Sequence, residues 1–175
     1  SVKFRHSLGR LRHLKAERPD LRIGVGGCVA QLEGEKLLER ARHVDVLVGT
    51  HTLHRIPELL EEAGATGRVA IDLDRKADAF AIPGELAAHG NPVRAYVTAM
   101  EGCNHVCSFC VVPRTRGPEV NRPPDDIVRE VEAQVARGYT EVMLLGQTVN
   151  AYRHGGTDFA GLLARIDAVP GLDRL

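Results

Sequence analysis

A loop with three cysteines constrains this chain more than any other feature of its sequence. Residues 101–110 read Glu-Gly-Cys-Asn-His-Val-Cys-Ser-Phe-Cys, so Cys103, Cys107 and Cys110 follow the spacing Cys-x3-Cys-x2-Cys. Thiolates are soft ligands that favour iron–sulfur clusters or zinc. Ferredoxin-type clusters have four cysteine ligands, whereas three leave one iron of a four-iron cluster open. An open iron can hold a second molecule and pass an electron to it.

The residues around this loop predict repeated strand–loop–helix units. Residues 93–100 are predicted to form a strand, and the proline and acids of 123–126 favour a helix start. That helix is expected to end at Gly138, and residues 141–145 to form the next strand. Three further elements are predicted. They are a polar loop over 146–156, a helix containing Phe159, Leu162, Leu163 and Ile166, and a third strand that begins within 172–175. In a barrel of such units the chemistry lies at the carboxyl ends of the strands, where both loops occur.

The first half of the chain also alternates helix and strand, which predicts an α/β fold. The predicted elements are a helix containing Leu8, Leu11 and Leu14, a strand over 21–25, a glycine-rich turn carrying Cys28, a helix over 33–42, a strand over 44–48, and a helix from Leu53 to Ala63 closed by Gly64. After that point the sequence shows no sustained hydrophobic period, although residues 69–73 can form one strand. We therefore predict a first domain over 1–64, a linker over 65–92 and a second domain over 93–175.

Charge and hydropathy narrow the class of protein. The net charge is zero, but residues 1–22 hold seven Lys and Arg against two acids. This segment predicts either a solvated basic helix face or a surface that contacts phosphate. No apolar run reaches the length of a membrane span, and the first residues do not resemble a signal peptide. We therefore expect a cytoplasmic protein whose four cysteines are ligands or catalysts rather than disulfides.

The cysteine loop, with the aromatic Phe109 before its third cysteine, resembles that of the radical S-adenosylmethionine superfamily. There the open iron chelates the amino and carboxylate groups of S-adenosylmethionine, and an electron from the cluster releases a 5′-deoxyadenosyl radical. Further segments resemble methylthiotransferases, most of all the MiaB-type branch, which adds a methylthio group to isopentenyladenosine beside the tRNA anticodon. These segments are residues 26–31, 48–60, 100–103, 110–117 and 144–152.

The resemblance implies a partial methylthiotransferase N-terminal domain of α/β type, followed by the first β/α units of a radical-SAM partial TIM barrel. It implies an enzyme with S-adenosylmethionine and two 4Fe–4S clusters as cofactors, and with tRNA, a reducing electron donor and an unidentified sulfur donor as partners. The implied site residues are Cys103, Cys107 and Cys110 for the catalytic cluster, Cys28 for the auxiliary cluster, and Phe109, Gln147 and Asn150 for S-adenosylmethionine.

The family's auxiliary cluster has three cysteine ligands, and only Cys28 matches one of them. We therefore expect a piece of a longer protein that lacks the start of the N-terminal domain and the C-terminal part, and that is inactive by itself. The substrate can instead be threonylcarbamoyl-adenosine in tRNA or an aspartate of a ribosomal protein. The resemblance of 51–60 favours the isopentenyladenosine branch.

Several alternatives stay open for single residues. The three cysteines, completed by His105 or another histidine, can hold zinc in a non-catalytic RNA-binding module. Cys107 and Cys110 can form a redox dithiol. Gln147 and Asn150 can serve as ordinary loop caps. Arg114 and Arg116 can each face phosphate or pair with Glu119, and Glu101 can order the loop.

Overall fold

The computed structural model describes residues 2–74 and 91–175. They divide into two compact units, one within Ser1–Ala79 and one within Phe80–Leu175. Most of the segment predicted as a linker, residues 75–90, lies outside the described residues. Across the described ranges, no helix combines the length and apolar character that a bilayer crossing requires.

The first unit is a three-stranded parallel sheet with helices on both faces. Its elements are α1 (Val2–Glu17), β1 (Gly24–Gly26), α2 (Cys28–Glu33), α3 (Lys36–Arg40), β2 (Val46–Val48), a 3₁₀ turn (Leu53–Arg55), α4 (Ile56–Thr66) and β3 (Ala70–Asp72). The strand order is β1-β2-β3, so residues 70–72 extend the sheet beyond residue 64. The central strand is buried on both faces, because Leu47 joins one hydrophobic cluster and Val46 and Val48 join another.

Three helix boundaries in this unit correct the sequence prediction. Cys28 is the first residue of α2 rather than part of a turn, and the predicted helix over 33–42 is interrupted at Gly34 before α3 begins. Helix α4 continues past Gly64 and ends at Gly67, whose φ of 64° is left-handed. Glycine adopts that conformation without a steric penalty, which is why the helix ends there rather than at Gly64.

The second unit begins as a parallel β/α structure. Its elements are β4 (Arg94–Thr98), β5 (Met100–Glu101), α5 (Val112–Thr115), β6 (Val120–Asn121), α6 (Pro124–Ala136), β7 (Glu141–Leu145), a 3₁₀ turn (Val149–Ala151), β8 (Arg153–His154), β9 (Thr157–Asp158) and α7 (Phe159–Asp167). Strands β4 and β7 pair in parallel, from Arg94 beside Glu141 to Thr98 beside Leu145. Arg174 continues the pattern as a parallel bridge to Glu141. This arrangement agrees with the start of a TIM-type barrel.

The core of this unit lies between the paired strands and the two long helices. Ile127 and Val131 of α6 and Leu162 and Ile166 of α7 are fully buried against Val97 and the other inward-facing strand residues. The predicted bounds of β7 and the predicted helices over α6 and α7 are confirmed. The predicted strand over 93–100 instead divides, because β5 leaves β4 and pairs antiparallel with β6.

Candidate metal centre

A short antiparallel ladder closes the cysteine loop at its base. Met100 pairs with Asn121 and Glu101 with Val120, and the Cys103 amide donates a hydrogen bond to the Gly117 carbonyl at 3.2 Å. Because β5 follows β4 almost directly, this ladder fixes both ends of the loop at the carboxyl end of a core strand.

Gly102 makes the tight approach at the loop base possible. Its φ is 75°, and a Cβ built on it would lie 2.0 Å from the Pro118 carbonyl oxygen. Any side chain there would clash with backbone that the ladder holds in place. Glycine at this position therefore permits the turn that leads into Cys103.

The three cysteines of the loop differ in exposure. Cys103 is 8 % exposed, Cys110 is half-buried and Cys107 is exposed, and all are free thiols. The Cys110 amide donates a hydrogen bond to the Cys107 carbonyl at 3.0 Å, which forms a turn between these two cysteines. Phe109 projects into solvent with 92 % of its surface exposed.

The three thiols share one loop but do not converge on one point. Throughout residues 2–74 and 91–175, no three Cys, His, Asp or Glu side chains meet in an arrangement that could hold a metal ion. The donor set nevertheless fits a soft metal or an iron–sulfur cluster, because one thiol is anchored at a fixed base and two lie on the accessible rim. His105, the residue considered for zinc, is exposed in the same loop.

A second loop contacts the first through a residue that the sequence analysis missed. The Thr148 hydroxyl oxygen lies 3.3 Å from the Cys103 sulfur. Thr148 follows β7, the strand paired with β4, so the loops after two adjacent parallel strands meet at this cysteine. Gln147 and Asn150 lie on either side of Thr148 in sequence, and both are exposed.

An ion pair at the loop base gives Arg116 a partner that the sequence analysis did not consider. Its guanidinium pairs with the Glu101 carboxylate at 3.2 Å rather than with Glu119. Glu119 instead accepts a hydrogen bond from the Asn121 side chain at 2.8 Å. This ion pair supports the loop-ordering role considered for Glu101. Arg114 is exposed in the same loop.

Tyr152 supports the segment that follows the ladder. It is 1 % exposed, and its hydroxyl donates to the Arg122 carbonyl at 2.7 Å. The Arg122 guanidinium in turn donates to the Thr98 carbonyl at 2.7 Å and pairs with Glu130 at 2.6 Å. Burial raises the pKa of the Tyr152 hydroxyl, so it stays protonated and keeps its role as donor.

Cys28 lies in the first unit, half-buried, where β1 leads into α2. It is the one cysteine in the sequence of that unit. A single thiolate does not hold a cluster, so the described residues of this unit do not complete a cluster site by themselves.

Comparison with known proteins gives two family matches and a group of close relatives. Residues 97–172 match the Radical SAM superfamily, and residues 1–49 match the Uncharacterized protein family UPF0004. The chain is 48% identical over 183 residues to a tRNA-2-methylthio-N(6)-dimethylallyladenosine synthase from Thiobacillus denitrificans. The aligned region covers 99% of this chain and 40% of that protein. A protein of the same name from Bordetella petrii is 49% identical over 178 residues, with 96% and 36% covered. These matches confirm the resemblance seen in the sequence.

The match covers nearly all of this chain but only part of each relative. The chain spans about two fifths of the length of these curated relatives. The relative from Nitrosomonas eutropha gives the same proportions, at 48% identity over 182 residues.

Proposed function

We propose that this chain, which carries a radical SAM region over residues 97–172, is part of a tRNA methylthiotransferase that converts N6-isopentenyladenosine beside the anticodon to its 2-methylthio derivative. One joint observation carries the proposal. The three-cysteine loop lies at the carboxyl end of a parallel strand, within a chain 48% identical over nearly its full length to a tRNA-2-methylthio-N(6)-dimethylallyladenosine synthase.

In this proposal Cys103, Cys107 and Cys110 hold a 4Fe–4S cluster. When bound, that cluster supplies an open iron for S-adenosylmethionine and the electron that starts radical chemistry. The chain's own residues fix the loop base through the β5–β6 ladder, bury Cys103 and leave the outer thiols accessible. Phe109, Gln147 and Asn150 are proposed contacts for S-adenosylmethionine, because they are exposed in the two loops that meet at Cys103.

Cys28 is proposed as one ligand of an auxiliary 4Fe–4S cluster that carries sulfur. The 175 residues supply no second cysteine in the first unit, so they are proposed to be inactive without further ligands. A reducing electron donor and a sulfur donor complete the reaction. A cytoplasmic location is part of the proposal, supported by four free cysteines and by a tRNA substrate.

Nucleoside analysis tests the substrate. In a strain that lacks the protein, mass spectrometry of digested tRNA should show loss of the 2-methylthio isopentenyl nucleoside and accumulation of isopentenyladenosine. The wild-type gene should restore it, and a Cys107→Ala variant should not. An unchanged level would overturn the proposal, and loss of a methylthio threonylcarbamoyl nucleoside, or of a modified ribosomal aspartate, would move it to a related branch.

Metal analysis tests the chemistry independently of the substrate. After anaerobic purification of the intact protein, iron and sulfide should be present, and reduction with S-adenosylmethionine should release 5′-deoxyadenosine. Zinc without iron or sulfide would instead favour the non-catalytic module.

A further inference from the structure

The first unit contains a basic groove that the cysteine chemistry does not use. It lies between α1 and the segment that runs from α3 to β2. Two adjoining cavities, of about 250 and 380 Å³, share Arg12, Arg40 and His43 in their linings. Together they form a continuous groove along the basic helix that the sequence analysis singled out.

The two walls of this groove are tied together. Phe4 and Leu8 of α1 pack on the hydrophobic cluster that contains Leu37 and Ala41. The His43 ring nitrogen Nε2 lies 2.9 Å from the Leu8 carbonyl oxygen, and because a carbonyl only accepts, that nitrogen carries the proton. The walls are therefore held at a set separation before any ligand binds.

The groove carries a local excess of positive charge in a chain whose net charge is zero. Arg5, Arg12, Arg40 and Arg42 line it, against the acids Glu33 and Glu39. All four arginines are exposed, and in the described part of the chain none of the four is in an ion pair. Other basic residues of the same unit are paired, as Lys15 is with Asp45.

Uncompensated arginines around one groove repel each other, so a polyanion that binds there relieves the repulsion. The planar guanidinium fork matches phosphate in a two-point geometry. Two adjoining cavities that share arginines fit successive phosphates of an extended backbone better than a single small anion.

We infer that the groove between α1 and α3 binds the phosphate backbone of RNA. The inference rests on the proposed function, which makes RNA the polyanion present as substrate. Contacts of this kind position a nucleic acid without reading its sequence. They would thus add affinity for tRNA as a class, whereas the choice of nucleoside would belong to the site around the cysteine loop.

Salt-dependent binding tests the inference. The intact protein and an Arg12→Gln/Arg40→Gln variant are titrated against fluorescently labelled unmodified tRNA between 50 and 200 mM salt. We expect the variant to bind roughly three- to tenfold more weakly, with a slope of log K against log salt smaller by about 1 to 2. Both arginines are exposed, so circular dichroism should show an unchanged fold.

A matched control comes from the same unit. Arg10 lies on α1 but does not line the groove, and Arg68 is exposed after α4. An Arg10→Gln/Arg68→Gln variant removes the same charge, so it should keep wild-type affinity and slope if the groove is the binding site.

The remaining outcomes separate the hypotheses. Equal losses in the groove and control variants, or no loss in either, would overturn the inference and leave the proposed function intact. Absence of tRNA binding by the wild-type protein at 50 mM salt would count against the proposed function itself. Displacement of tRNA by polyglutamate at equal charge concentration, with the same sensitivity to the two arginines, would reassign the groove to an acidic protein partner.

Discussion

The Thr148 hydroxyl lies 3.3 Å from the Cys103 sulfur, although 45 positions separate the two residues along the chain. The contact follows from topology, because β4 and β7 are parallel neighbours and the loops after them leave the sheet at the same edge. A cysteine from one loop and a hydroxyl from the next are therefore brought together by a single strand pairing.

Replacing Thr148 by Val should lower the midpoint potential of a cluster bound through Cys103. Hydrogen bonds to ligating sulfur stabilise the reduced, more negative state. A bond of about 1 kcal/mol corresponds to roughly 40 mV for a one-electron couple. An EPR-monitored redox titration of the reconstituted protein measures the shift. Thr148→Ser keeps the hydroxyl and should match the wild type, and a Val variant with an unchanged potential would show that the hydroxyl does not act on the sulfur.

Gly102→Ala should destabilise the loop base much more than a comparable glycine change elsewhere. The added Cβ would meet the Pro118 carbonyl oxygen at 2.0 Å, and the φ of 75° adds strain. Gly155 has a φ of 53° and nothing within 4 Å, so Gly155→Ala should cost only about 1–2 kcal/mol. Urea unfolding and iron content after reconstitution check both variants. Equal effects of the two substitutions would mean that the clash is relieved at little cost.

Tyr152→Phe should reduce stability by about 1–2 kcal/mol, because the Arg122 carbonyl loses the donor that lies 2.7 Å away in a buried setting. The ring itself remains, so packing is kept and the effect isolates the hydroxyl. Chemical denaturation measures it. A variant as stable as the wild type would show that water or another donor replaces the hydroxyl.

Glu141 should make the stability of the second unit depend on pH in the acidic range. Its hydrogen bond with Arg94, aided by the charge of Arg174, lowers the pKa of this carboxyl below its ordinary 4.5. The folded state then binds fewer protons than the unfolded state, so this contribution is present above pH 4.5 and is lost as the pH falls through the folded pKa.

Glu141→Gln should accordingly lower the thermal midpoint more at pH 7 than at pH 3. Thermal unfolding at a series of pH values compares it with the wild type. Glu132→Gln, at an exposed position on α6, is the control and should change the midpoint little at either pH. A loss for Glu141→Gln that is the same at both pH values would contradict the pairing as its cause.

The sequence predicted the regular elements of the second unit well, for identifiable reasons. Strand β7 is a compact apolar run bounded by polar residues, and α6 begins with proline and two acids where free amides favour them. Such signals are local in the sequence, so they can be read without knowing which elements pack against the strand or the helix. The start of α2 at Cys28 was missed because Gly27 and Gly34 bracket a helix too short to show a hydrophobic period.

The tertiary contacts of the candidate site were less accessible to sequence reasoning. Spacing alone identified Cys103, Cys107 and Cys110 as a set. It held no signal for Thr148, whose role depends on which strands pair, or for the choice of Glu101 over Glu119 as the partner of Arg116. Glu119 is three positions from Arg116 and Glu101 is 15 positions away, so distance along the chain favours Glu119 until the ladder sets the direction of each side chain.

The β5–β6 ladder has a consequence for how the protein would respond to loss of the proposed cluster. Because the loop is tied at Met100–Asn121 and Glu101–Val120, its closure entropy is already offset by backbone pairing that involves no thiol. Demetallation should therefore be a local event: amide exchange would quicken within 104–116, while the protection of β4, α6 and β7 persisted. If the proposed cluster were lost, the loop could then take up a new one without refolding of the rest of the unit.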